Sequence, residues 1–136
     1  LYGARQNRNT VMDKVLEDLN YACANINQEE NSRVAYNKYV ALAIKSRVCL
    51  FEGTYSKYVL KDEARANTYL NECKNASLEI MTSGKYELNA DFKSNFDQLD
   101  LKGNPEMIMY KHYVYNVLGH GTVDYTRFDI FRYVIK

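Results

Sequence analysis

The side chains able to do chemistry fall into three groups. The first is the thiols Cys23, Cys49 and Cys73, with the imidazoles His112 and His120. The thiols are too far apart for a metal-finger pair of the C-x-x-C type, and an odd number cannot all be joined to one another. Each falls on an apolar stripe of a predicted helix, where a buried thiol acts as a small hydrophobe. A cysteine–histidine couple with His112 or His120 is the sharper alternative, and nothing in the spacing favours it. Two lone histidines bring no third ligand in pattern for a metal.

The second group is the loop carboxylates Asp91, Asp97, Asp100, Glu106, Asp124 and Asp129. Glycoside hydrolysis needs two carboxyls about 5–10 Å apart across a bound sugar. No spacing here singles out such a pair, and a calcium loop at Asp97 lacks the alternating Asp/Asn ligands. The expectation is a non-enzyme without metal or cofactor. The third group is the run His112-Tyr113-Val114-Tyr115-Asn116, followed by His120, Tyr125 and Arg127. Aromatic faces suit C–H-rich ring surfaces, and forked polar side chains suit hydroxyls. The same tyrosines could equally be core or strand-packing residues.

What must position these groups is a chain of 136 residues, one domain's worth or part of a larger one. The net charge is +1, so there is no electrostatic footprint for nucleic acid or an anionic membrane. No apolar run approaches the roughly 20 residues a membrane span needs. Tyr occurs 13 times and Trp never, which provides large apolar faces with polar tips for cores and wet interfaces alike. The start, Leu1-Tyr2-Gly3-Ala4-Arg5, has neither an initiator methionine nor a signal-peptide pattern, and an internal stretch is expected.

Three helices are predicted. The first covers about 10–27, with Thr10 as N-cap, Asp13 three residues on, and Met12, Val15, Leu16, Leu19, Cys23 and Ile26 on one face. The second covers about 37–58, capped by Asn37, with Val40, Ala41, Ile44, Val48, Phe51, Tyr55 and Tyr58 as its stripe. Ala41 and Ala43 would admit a close neighbour, and Gly53 would loosen or bend the far end. The third covers about 62–82, with Asp62 and Glu63 at its start and Gly84 where a left-handed residue ends it. Short polar connections favour antiparallel packing. The fold class is therefore mainly α, with tetratricopeptide-like antiparallel helices over 10–84 and a short strand and loop-rich tail over 85–136. The strand is expected near 107–115, and no clean 34-residue self-match supports a repeat array.

In order, these pieces resemble the SusD/RagB family. The first helix carries Val11, Val15, Asp18, Leu19 and Ala22, like the family's V-x-x-x-[IV]-x-x-D-L-x-x-A. The second carries Asn37, Lys38, Ala41, Ala43, Arg47, Val48, Leu50, Phe51 and Gly53, similar to [TN]-K-x-x-A-x-A-x-x-x-R-V-x-L-[YF]-x-G. Ile80, Met81, Ser83, Gly84, Tyr86 and Leu88 follow, and then Asn104-Pro105-Glu106-Met107-Ile108, like the family's strand entry. The match spans about 11–110. The family's arginine before the second helix is displaced, if Arg33 is its counterpart, and a tryptophan near the strand is absent.

The resemblance implies that residues 1–136 are an internal part of one SusD-like domain. It implies non-catalytic capture of oligosaccharide or another nutrient at the outer-membrane surface. The implied partner is a SusC-like TonB-dependent transporter, with membrane contact only through a lipid anchor outside this segment. Ligand contacts are then expected after the helices, at Tyr113, Tyr115, Asn116, Tyr125 and Arg127. Arg47 would be a structural arginine with Asp18 as candidate partner, or less readily a glycan contact. The alternative function is a helical-repeat scaffold for protein interactions.

Overall fold

The structure is a computed structural model, and it describes residues 3–27, 33–98 and 100–112. Its elements are α1 (Arg8–Asn25), α2 (Lys38–Tyr55) continuing into a π-helical turn (Ser56–Leu60), α3 (Glu63–Thr82) and the short α4 (Ser94–Asp97). The protein is mainly α, and among the described residues no strand forms.

The helices begin where short polar side chains can take up free backbone N–H groups. Asn37 Oδ1 accepts from the Val40 N–H at 3.0 Å, and Asp62 Oδ1 from the Arg65 N–H at 3.0 Å. α1 starts earlier than the sequence predicts. Its cap is Asn7, whose side chain accepts from the Asn9 N–H, and Thr10 lies inside the first turn. Asn and Thr are both good caps, and the upstream one adds backbone bonds from the turn that follows. α3 ends as expected, with Gly84 at φ +67°.

α2 is the central helix and packs against both α1 and α3. Arg8, at the start of α1, meets Glu52 near the end of α2, so these two helices are antiparallel. Ser46 meets Ser77 at 2.7 Å and Lys45 meets Glu72 at 2.6 Å, while Lys38 pairs with Glu79, which makes α2 and α3 antiparallel as well. The core cluster is Cys23, Tyr39, Ala41, Leu42 and Ala76, with Ile26, Ile80, Tyr86 and Ile108 packed on its edge. The post-helical chain therefore closes one end of the helix trio.

Gly53 has a more specific job than loosening the helix. A Cβ there would lie 2.7 Å from Leu70 Cγ and 3.1 Å from the Leu70 backbone nitrogen. Gly53, with buried Ala41, sets the close approach of α2 to α3, whereas Ala43 is only half-buried. Beyond it the helix widens into the π turn and stops at Lys61, which adopts a left-handed φ of 59°.

Three further expectations change. Residues 107–112 of the expected strand are irregular, joined to the helical part by the Tyr110 N–H donating to the Arg33 carbonyl at 2.9 Å. No extended neighbour gives that segment a ladder, and its remainder lies outside the described residues. Cys23 and Cys49 are buried, but Cys73 is half-buried with its sulfur 3.5 Å from the Ser46 hydroxyl, and all three are free. Arg47 is exposed and no ion pair joins it to Asp18.

Candidate functional site

The predicted ligand residues Tyr113, Tyr115, Asn116, Tyr125 and Arg127 lie outside the described residues, as do His120, Asp124 and Asp129. The described chain ends at His112, whose exposed ring sits 6.1 Å from that of Tyr110. Three other places carry concentrated chemistry.

The first is a charged cluster where α1, α2 and α3 meet. Glu52 is fully enclosed. Its carboxylate accepts from Arg8 through both terminal nitrogens, at 2.9 and 2.5 Å, and from Arg65 Nε at 3.0 Å. Arg65 also reaches Asp13 at 2.8 Å, the Asn9 carbonyl at 3.3 Å and the Tyr69 hydroxyl at 3.1 Å. The Tyr69 hydroxyl donates to Asp13 at 2.7 Å. Arg8 also lies over the Tyr55 ring, 4.0 Å from its centroid. Two guanidinium groups therefore face two carboxylates, and the buried charge is balanced.

The electrostatics follow from the geometry. The hydrogen bond from Tyr69 and the Arg65 charge hold Asp13 below its ordinary value. Burial, and then the bond to Asp13, push the Tyr69 hydroxyl up. The Glu52 bond raises Arg8. Asp13, Tyr69 and Arg8 are thereby held in their ordinary ionised or neutral forms. Such a cluster positions helices. The neighbouring thiols are likewise held protonated, with burial raising Cys23 and pushing Cys49 up to about 11.

The second place is an amide-rich clasp in the post-helical chain. Asn95 Oδ1 accepts from Asn104 at 2.7 Å and from Asn89 at 2.9 Å, and the Asn95 amide donates to Glu106 at 2.7 Å. Asn104 Oδ1 accepts the Glu106 N–H at 3.0 Å, and Glu106 accepts the Asn89 N–H at 3.3 Å. Three of the candidate loop acids are used locally. Glu106 belongs to this clasp, Asp91 caps the Lys93 N–H, and Asp100 accepts from the Lys102 N–H and the Tyr110 hydroxyl. Among the described residues no group of three or more His, Cys, Asp or Glu is placed to hold a metal ion.

The third place is the outer face of α2. The sequence stripe of Ile44, Phe51 and Tyr58 points away from α1 and α3, and these residues are 44%, 64% and 65% exposed. The face that α2 turns inward instead carries Leu42, Lys45, Cys49, Glu52, Gly53 and Ser56. Sequence reasoning missed Glu52, Arg8 and Arg65. A signal existed, since Glu52 is the only acid in α2. Among the described residues no helix is long and apolar enough to cross a membrane. No protein-family model, no curated protein and no solved structure matches the chain.

Proposed function

We propose that this chain is a non-catalytic capture module of SusD/RagB type, which binds oligosaccharide and presents it to a TonB-dependent transporter at the outer-membrane surface. The observation that supports this reading is the work done by the residues that carry the resemblance. Asn37 caps α2, Gly53 receives Leu70, Gly84 takes the left-handed turn, and Asn104 and Glu106 close the clasp. Arg33 lies 5.6 Å over the Tyr86 ring and accepts the Tyr110 N–H on its carbonyl. These members of the motif each hold a turn or contact, as residues of a fold signature do, while Arg47, Leu50, Phe51 and Leu88 stand exposed.

On this reading the antiparallel helices are the tetratricopeptide-like scaffold, and the ligand is held by Tyr113, Tyr115, Asn116, Tyr125 and Arg127. Loops on a rigid helical frame suit a site that varies between ligands. Affinity electrophoresis of the intact protein through gels of soluble polysaccharides tests it. Retardation by at least one glycan is expected, with no release of reducing ends. Tyr115→Ala and Tyr125→Ala should weaken binding about thirty-fold, as truncation of an aromatic hot spot does, with the thermal midpoint nearly unchanged. Migration indifferent to every glycan, or hydrolysis that disappears on mutating one Asp, would sink the proposal. The second reading, a scaffold for protein interaction, is favoured by one observation, the outward apolar face of α2.

A further inference from the structure

We propose that the outer face of α2 is a docking groove for an amphipathic helix of a partner protein, apolar along one stripe and acidic on its flanks. The inference goes beyond the glycan reading and does not depend on it, because the face lies on α2 and not in the post-helical chain.

The first observation is periodicity. Ile44, Val48, Phe51, Tyr55 and Tyr58 follow one another at steps of four, three, four and three residues. That is the spacing of a coiled-coil seam, which runs for roughly 16 Å of α2 as far as Tyr55, with Tyr58 beyond it in the π turn. Such a seam stabilises a helix only when a second helix lies along it at a shallow angle. α1 and α3 do not fill it, because Ile44, Phe51 and Tyr58 remain exposed while Val48 and Tyr55 are half-buried. The Phe51 and Tyr55 rings are already stacked, with centroids 6.3 Å apart and planes 18° from parallel. Arg8 also holds Tyr55, with its guanidinium 4.0 Å from the ring centroid. The face is therefore preorganised and loses little side-chain freedom when covered.

The second observation is charge. The only acid of α2, Glu52, is enclosed, and the lysines Lys38 and Lys45 are paired with Glu79 and Glu72 of α3. The charges that α2 and its π turn leave beside the seam are cationic. Arg47 is exposed three residues after Ile44 and four before Phe51, on the same face, and Lys57 lies 5.8 Å from the Tyr58 ring centroid. Lys61 follows, but the exposed acids Asp62 and Glu63 come next, so the cationic flank is Arg47 and Lys57. Flanking charges select the partner of a helical seam, so the complement carries Glu or Asp on its flanks. A second copy of α2 would bring cation against cation. A sugar is the poorer fit, because the aliphatic Ile44 and Val48 offer it neither stacking nor hydrogen bonds and the stripe is much longer than one ring.

The test uses two designed four-heptad peptides with leucine along the seam. One has glutamate on both flanks and the other lysine, so that each repels itself and stays monomeric at neutral pH. Fluorescence anisotropy with the intact protein should show binding of the acidic peptide, weakened by added salt, and no binding of the basic one. Phe51→Ala should weaken binding about thirty-fold. Arg47→Gln should weaken it a few-fold and flatten the salt dependence. Phe96→Ala, which removes an exposed aromatic elsewhere, should bind as the parent does. Circular dichroism checks that each variant keeps its helices, which exposure of the replaced side chains favours. The proposal is overturned if neither peptide binds, if both bind equally, or if Phe51→Ala binds normally. It is also overturned if sedimentation shows self-association that Phe51→Ala abolishes, which would assign the face to a second copy.

Discussion

The charged cluster around Glu52 and the amide clasp around Asn95 solve the same problem with opposite means. Each brings buried polar groups together where the chain must be pinned. The charged cluster joins α1, α2 and α3 through Arg8, Asp13, Glu52 and Arg65, residues far apart in sequence. The clasp joins Asn89, Asn95, Asn104 and Glu106, all within one short stretch, and three of its four members are neutral. Charges reach across elements and fix helix order, but they leave a large penalty if a partner is lost. Amides fold one loop on itself, and their loss leaves ordinary unsatisfied hydrogen bonds.

The sharpest way to break this contrast is to remove the shared acceptor of the charged cluster. Glu52→Ala leaves two guanidinium groups without their main anion, and Arg65 is largely enclosed. The expected loss is about 3–5 kcal/mol in urea denaturation, the usual cost of breaking a buried pair. Arg8→Ala should cost less than Glu52→Ala, because its side chain is more than a third exposed and Arg65 still holds Glu52. Equal losses for the two variants would show that Arg8, not the enclosed carboxylate, organises the cluster.

Asn104→Ala tests the other side. It removes one donor to Asn95 and the acceptor of the Glu106 N–H. The expected cost is about 1–3 kcal/mol, the range for buried groups left unsatisfied. Because no charge is lost, the cost should be the same in low and high salt. A cost as large as that of Glu52→Ala would end the distinction between long-range charges and local amides.

These two centres also explain which parts of the molecule were legible in the sequence. Local chemistry was readable. Asn37, Asp62 and Gly84 act within a few residues of themselves, and each sits at the helix end its type predicts. The three helices followed from apolar period for the same reason. What did not follow was which side of α2 turns inward. Period marked Ile44, Phe51 and Tyr58 as the core face, yet they are exposed. The inner face holds Lys45 and Glu52, whose partners Glu72, Arg8 and Arg65 stand on other helices. A charge reads as exposed until its partner is known, and such pairs leave no periodic trace. The Asn7 cap was displaced to Thr10 because both residue types serve and only geometry chooses. Of the candidate site, the expected ligand residues fall outside the described chain, and the seam on α2 was visible only as a stripe. Its exposure came from the arrangement of the helices.

The smallest expected effect separates the two centres by pH. Asp13 stands on the rim of the charged cluster, where the hydrogen bond from Tyr69 and the charge of Arg65 favour its ionised form. Its folded value is therefore depressed below the unfolded value of about 3.9. A depressed carboxylate contributes stability that is fully present above the unfolded value and is lost as pH falls through the folded value. The side chain is 59% exposed, so screening by water keeps this contribution modest. In a series of urea midpoints, the parent should be slightly more stable than Asp13→Asn near pH 6. The gap should close as the pH drops below the ordinary carboxylate range. Asn104 and Asn95 do not titrate, so any pH course in the Asn104→Ala deficit would report their clasp partner Glu106. If the Asp13→Asn gap is flat across that range, Asp13 contributes only as a hydrogen-bond acceptor for Tyr69, which an amide oxygen can replace. The charged character of the cluster would then reside in Glu52 and its two arginines alone.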